Sequence, residues 1–392
     1  MHIVFVTHAY PRWEGDVAGT FIERLAVALN DLQHSVTVLA PADQGRGGPE
    51  RRGGIDILWV RYAPADRETL AYRGTMVEES ARLSGKLAAV SMVMSLARPI
   101  RRMIKRGVAD VVHAHWWIPS GIAAWTAHRR HSCPYVVTMH GTDVRVLEQS
   151  DAARAIARRV LRKASAVTAV SSYLAETAGA SLGIAADDIL VHPMPADLVR
   201  FRHQSQGGGG VVTVGRLVAQ KRIDVILEAV ARLQRHGRPV PLTVIGDGPL
   251  RGALEEHALR LGITATTRFL GEVEPADLSE AIGNADVFAF SARAEGLGLA
   301  AAEAFMLGIP VVATEAGGGV KDIVPTEGAG RVVPEGDPRG FSDAIAELMD
   351  DPNARRLAVG AGERLQERFD PGIVAQRFET LYQEVSTGRA RA

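Results

Sequence analysis

The chain has 392 residues, enough for two or three domains of about 100–200 residues each. Its 45 Lys and Arg balance its 45 Asp and Glu, which removes the bulk electrostatic drive for nucleic-acid binding. A single cysteine, Cys133, excludes an internal disulfide framework and a multi-cysteine zinc site, and fits a reducing, cytoplasmic setting. No run reaches the about 18 consecutive apolar residues of a membrane-spanning helix. The opening MHIVFVTHAYP has neither the basic start nor the cleavage site of a signal peptide.

In chain order, His2–Thr7 is a short apolar run typical of a buried strand. The loop Pro11–Gly19 follows, then a helix over Thr20–Leu32 with Phe21, Leu25, Ala28 and Leu29 at helical spacing. A second strand at Ser35–Leu39 completes a βαβ unit, which makes the strands parallel. Further strands are expected at Val111–His115, Tyr135–Met139 and Ala166–Val170. A linker, His192–Gly210, carries Pro193, Pro195 and the glycine run Gly207–Gly210. The second half opens as the first does: strand Val211–Val214, loop Gly215–Gln220, helix Ile223–Arg235, strand Leu242–Ile245. Strands at Arg268–Leu270, Val287–Phe290 and Pro310–Ala313 and a last helix, Pro371–Val385, complete it. Alternating strands and helices predict an α/β fold of two Rossmann-like, doubly wound domains. Ligands bind beyond the carboxyl ends of such strands, so two domains predict a central cleft. The expected divisions are an N-terminal domain over 1–195, a C-terminal domain over 205–370 and a final helix over 371–392. Charge divides with them: residues through Ala196 carry net +5 and the rest net −5.

The most informative stretch is Glu295–Glu303, EGLGLAAAE. It follows an expected strand and opens a helix near Leu297, with Gly296 and Gly298 beside the first carboxylate. Backbone N–H groups at a helix start hold anions, and glycine lets a phosphate approach. Eight helical residues rise about 12 Å, so two carboxylates at this spacing suit hydroxyls at both ends of one ligand. The spacing is equally met by a capping Glu295 and a solvated Glu303. Arg216 and Lys221 lie in the loop after the strand Val211–Val214, where two cations suit a diphosphate or are surface charges before a helix. Gly246–Pro249 reads as a turn. Gly317–Gly319 reads as backbone amides facing a ligand or as a flexible link.

VGRLVAQK, IGDGPLR, FLGEV, ADVFAFSARAEGLGLAAAEAFMLGIPVVAT and FDPGIVAQRFETLY run in order through the second half. Together with HAHWWIPSG and MHGTD in the first, they resemble the retaining GT-B glycosyltransferases of family 4, the group 1 glycosyltransferases. The resemblance implies a donor site for a nucleotide-sugar. Glu295 would bind hydroxyls of the transferred sugar and Glu303 those of the ribose. Arg216 and Lys221 would hold the diphosphate and stabilise the leaving charge. The backbone of Gly298, Leu299 and Ala300 would cradle the phosphates, and the base would lie against Phe269 and Leu270. Gly19 would approach the diphosphate from the first domain, although Ala18 stands where a second glycine is common. His140 would face the transferred sugar; Asp143, in the same turn, reads as a helix N-cap. Two further departures are Leu297 in EGLG, for the more usual EGFG, and GGGVKD, where Lys321 and Asp322 follow the glycine run and an acidic residue is common.

The same resemblance implies sugar transfer with retained configuration by a front-face route, with no tightly bound cofactor and no metal. UDP-sugar is the favoured donor, with GDP- and ADP-sugars as alternatives. The acceptor, a small molecule or a lipid-linked glycan, is expected on the first domain near Arg12–Asp16, Asp66–Thr75 and His115–Ser120. Adjacent Trp116 and Trp117 cannot both point inward from a strand, so one is expected to line the cleft. Five cations between Arg98 and Arg106 follow an apolar stretch, Leu87–Ala97. They form an ordinary solvated face or a peripheral membrane contact at the inner face of the membrane. A nicotinamide-dependent oxidoreductase fails on the missing G-x-G-x-x-G. A GT-B epimerase or phosphorylase, or an inactive sugar-nucleotide-binding protein, are the alternative readings.

Overall fold

A computed structural model describes residues 1–72, 76, 83–128, 133–196, 207–274, 277–324 and 328–388. The chain divides into two compact units, Met1–Ala196 with Pro371–Ala392, and Asp197–Asp370. The expected linker His192–Gly210 falls largely outside the described residues.

The first unit is built on an eight-stranded sheet: β1 (His2–Val6), β2 (Ser35–Pro41), β3 (Gly48–Arg52), β4 (Ile55–Val60), β5 (Val111–His115), β6 (Tyr135–Met139), β7 (Ala166–Ala169) and β8 (Leu190–Val191). Their spatial order is β3-β4-β2-β1-β5-β6-β7-β8. All neighbours are parallel except β3 and β4, an antiparallel pair with Gly48 opposite Trp59. Val111–His115 and Tyr135–Met139 are buried along their whole length, as expected of central strands covered by helices on both faces. Helix Thr20–Asp31 starts at Gly19, whose φ is 70°. A Cβ there would lie 2.4 Å from the Ala9 carbonyl oxygen, so the loop after β1 folds back only with glycine at this point.

The last helix, Pro371–Ser386, packs within the first unit against helix Thr20–Asp31. Tyr382, fully buried, shares a hydrogen bond of 2.6 Å with His113 Nδ1. His113 Nε2 meets the Thr138 hydroxyl at 2.6 Å, and Thr138 meets Thr168, also at 2.6 Å. Three neighbouring strands and the final helix are thus joined by one satisfied buried polar chain.

The second unit holds a six-stranded, wholly parallel sheet: β9 (Val211–Val214), β10 (Leu242–Ile245), β11 (Thr267–Gly271), β12 (Val287–Phe290), β13 (Val311–Thr314) and β14 (Gly330–Val333), in the order β11-β10-β9-β12-β13-β14. This is the doubly wound order, in which the chain first builds outward on one side and then returns to build on the other. The amphipathic helix Ile223–Arg235 buries Val225, Ile226, Leu227, Val230 and Leu233 in the core beside β9 and β10. No helix among the described residues is long and apolar enough to cross a membrane.

Burial drives the pKa of His113 down to about 3, with the charge of His192 adding to the effect. An unfolded histidine titrates near pH 6.5. Between these values the unfolded chain holds the extra proton, so stability falls as pH falls through this window. The slope is up to about 1.4 kcal/mol per pH unit for this one group. Denaturant midpoints measured at several pH values should show the loss, and His113→Gln, less stable at neutral pH, should have a shallower slope. An equal slope in both proteins would show that His113 is not the group responsible.

Candidate active site

In the second unit the strand order reverses between β9 and β12, so the loops leaving these two strands part to opposite sides of a crevice. The first loop carries Arg216 and Lys221, the second Glu295. The structure brings Lys221 and Glu295 together: Nζ lies 2.6 Å from Oε1, and both side chains are about four-fifths buried. The Lys221 stem lies along Gly215, where a Cβ would meet its Cε at 3.1 Å. Gln220 clamps the second loop by donating from Nε2 to the Arg293 carbonyl at 3.0 Å, while the Arg293 N–H donates to the Gln220 carbonyl at 2.9 Å. The Ser291 hydroxyl donates to the Lys221 carbonyl at 2.8 Å. Arg216 is exposed, with no ion-pair partner among the described residues.

Helix Leu299–Met306 begins two residues later than the sequence spacing predicts, at Gly298 with φ 85°. A Cβ at Gly298 would press on Val320 at 3.2 Å. The N–H groups of Leu299 and Ala300 stand at the open first turn, where a helix has no carbonyls of its own to offer. Glu303 is half-buried one turn on. Gly318 bridges to Glu295, the Gly319 N–H donates to the Glu295 carbonyl at 2.9 Å, and a Cβ at Gly319 would sit 2.2 Å from the Gly296 carbonyl oxygen. These glycines let the two loops pack backbone to backbone and hold Glu295 in place.

Phe269 is half-buried and Leu270 exposed at the end of β11. Arg251 fixes this segment, donating to the Phe269 carbonyl at 3.3 Å while paired with Asp247 and Glu255, each at 2.9 Å. The i,i+4 spacing of Asp247, Arg251 and Glu255 was the available signal for this brace; the turn reading of Gly246–Pro249 passes over it.

In the first unit the strand order reverses between β1 and β5, and the loops after them meet in an aromatic cluster. His8 lies against Trp116 with centroids 4.1 Å apart, and Trp116 against His140 at 4.4 Å. His140 Nε2 is 3.2 Å from His115 Nδ1. Burial, with His113 and His8 adding, holds the His140 pKa well below the ordinary imidazole value. It is a neutral hydrogen-bonding group at pH 7. Trp117 is fully buried and Trp116 nearly so, because the alternation ends with β5: Trp116 has φ 69° and turns the chain. Trp116 lines a pocket of about 270 Å³ with His8, Leu70, Tyr72, Ile118 and Val146. Two of the three segments expected near an acceptor, Asp66–Thr75 and His115–Ser120, contribute to this pocket, and Arg12–Asp16 is not among its lining residues; residues 73–75 lie outside the described residues.

Asp143 is not the N-cap. Gly141 occupies that position, with φ 123°. Asp143 is buried and accepts N–H donations from His140 at 3.1 Å, Gly141 at 3.0 Å and Trp117 at 3.2 Å. It ties the turn that presents His140 to the turn after β5. Burial raises its pKa while these backbone donors oppose the rise. Asp16 does similar work in the loop after β1, accepting from the Arg12 N–H at 3.0 Å and the Ala18 N–H at 3.2 Å.

Comparison with known proteins identifies the family and the fold. The family pattern described as glycosyl transferases group 1 matches residues 199–364, and that of the glycosyl transferase 4-like domain matches residues 18–195. The D-inositol 3-phosphate glycosyltransferase of Jonesia denitrificans is 31% identical over 71% of this chain and 72% of its own. The fold is similar to that of sucrose-phosphate synthase from Thermosynechococcus elongatus, with TM-score 0.81 at 20% identity over 99% of this chain and 100% of that one. It is also similar to Anabaena Alr3699/HepE solved in complex with UDP, with TM-score 0.74 at 20% identity over 98% and 100%. The chain is a glycosyltransferase of GT-B fold and belongs to the group 1 glycosyltransferases.

Proposed function

We propose that the protein transfers a hexose from a nucleotide-diphosphate sugar, UDP-sugar in the first instance, to a hydroxyl of a small-molecule or lipid-linked glycan acceptor, with retention of configuration. The observation that carries this reading is the Lys221–Glu295 pair at the strand-order reversal of the second unit. It sets a cation for a diphosphate beside a carboxylate for sugar hydroxyls, next to the open first turn of helix Leu299–Met306. The UDP held by the Anabaena neighbour supports the choice of nucleotide.

In this reading the ribose lies on Glu303, the base against Phe269 and Leu270, and the phosphates on the backbone of Gly298, Leu299 and Ala300. Gly19 lets the first unit's loop approach the diphosphate. Arg216 and Lys221 stabilise the charge that grows as the bond from the anomeric carbon to phosphate oxygen breaks. The acceptor oxygen bonds to the same face of that carbon, and its proton passes to the departing phosphate oxygen. Glu295 and His140 hold sugar hydroxyls; no protein nucleophile is needed, and catalysis is positioning plus charge stabilisation.

Two substitutions separate these roles. Lys221→Ala should weaken donor binding about 10- to 100-fold, the loss expected for one charge-assisted hydrogen bond. Glu295→Gln removes the carboxylate that partly neutralises Lys221. It should lower turnover about 100-fold while leaving UDP bound at least as tightly. Calorimetry with UDP and steady-state kinetics check both; a Lys221→Ala enzyme with unaltered donor binding and rate would reject the site. Because His140 is held neutral, the rate profile should have no limb near pH 6.5 that disappears in His140→Asn.

A further inference from the structure

Helix Leu83–Lys105 buries one side and leaves the other uncovered. Met92, Leu96 and Ile100 are fully buried, whereas Leu87 is 65% exposed, Val90 63% and Met94 42%. The exposed apolar residues are spaced three and four apart. Arg98, Arg102 and Lys105, all exposed, continue the same row toward the helix end. At 100° per residue the six positions fall within an arc of about 120°, and they extend about 27 Å along the axis. Isolated exposed apolar residues are ordinary on a soluble protein; a row that turns from apolar to basic along one face, broken within its arc by Ser91 and Arg101, which hydrogen-bond inward to the Tyr62 and Thr126 carbonyls, is not.

The charge is one-sided as well. The helix contains no Asp or Glu, although the whole chain has as many acidic as basic residues. Arg98, Arg102, Lys105 and the following Arg106 have no ion-pair partner among the described residues. Arg101, by contrast, turns inward and donates to the Thr126 carbonyl at 3.2 Å. A second copy meeting it helix to helix would bring no Asp or Glu from this helix to meet the cations. A surface with anionic headgroups over an apolar interior meets both halves of the row. Leucine, valine and methionine enter the acyl boundary while the long arginine and lysine stems carry their charges out to phosphate.

We propose that this face of helix Leu83–Lys105 docks the protein on an anionic lipid surface. The helix is tied to a wall of the pocket beside His8 and Trp116: the Ser91 hydroxyl donates to the Tyr62 carbonyl at 2.6 Å, and the Leu70 N–H donates to the Tyr62 hydroxyl at 3.0 Å. Docking by this face would suit an acceptor drawn from the lipid surface; the docking itself does not depend on the assigned reaction.

The test is co-sedimentation of the full chain with vesicles of phosphatidylcholine alone and of phosphatidylcholine with an equal part of phosphatidylglycerol. Binding should be confined to the anionic vesicles and should fall as salt is raised. The triple variant Arg98→Glu/Arg102→Glu/Lys105→Glu should lose about tenfold or more of the affinity. Leu87→Ser/Val90→Ser/Met94→Ser should also release the protein, with its thermal stability and UDP binding retained. Absence of binding to anionic vesicles, equal binding to neutral ones, or variants that bind as the parent does would overturn the proposal. So would a dimer that the serine variant dissociates, which would give the face to a second copy of the chain.

Discussion

The reversal of strand order in each sheet is the constraint on which the rest depends. A parallel sheet needs a crossover after every strand, and a chain that builds to one side and then to the other leaves a gap between the loops at the starting strand. In the second unit that gap falls between β9 and β12, and Lys221 and Glu295 meet there. In the first it falls between β1 and β5, where His8 and Trp116 meet. Neither cluster is contiguous in sequence; the topology assembles both.

Chemical groups placed in such a gap need loops that hold still, and this chain secures its loops by close backbone packing. Gly319 and Gly298 are glycine because a side chain would strike the neighbouring loop or Val320. Gln220 ties the two loops of the donor side together. On the other unit a buried carboxylate, Asp143, gathers three backbone N–H groups and so fixes where His140 stands. The polar chain from Tyr382 through His113 to Thr168 anchors the last helix to the sheet beneath that histidine.

Much of this framework is legible in the sequence because buried parallel strands are short apolar runs bounded by glycine and proline. Val111–His115, Tyr135–Met139, Val211–Val214, Leu242–Ile245 and Val287–Phe290 form as strands over those residues. The antiparallel edge was invisible because Gly48–Arg52, GPERR, has no apolar alternation and gains its order only by pairing with β4. The meeting of Lys221 and Glu295 is legible only as membership of one fold edge; its 2.6 Å geometry depends on the glycine packing of the Gly317–Gly319 segment. Asp143 was misread because capping is a local rule, whereas its third partner, the Trp117 N–H, comes from a distant turn. Which of Trp116 and Trp117 lines a pocket was not legible, because strand alternation says nothing about the residue at which a strand ends.

On the proposed reading, the carboxyl edge of the second sheet holds a nucleotide diphosphate. Its most direct test is thermal unfolding of the full chain against UDP, GDP and ADP and their hexose conjugates. A ligand at about 100 times its dissociation constant stabilises the fold by about 2.7 kcal/mol, a shift that such a scan resolves. A rise in melting temperature with UDP and UDP-sugars, exceeding that with the other bases, is expected of a UDP-sugar site. An unchanged melting temperature with every nucleotide and every conjugate would contradict it.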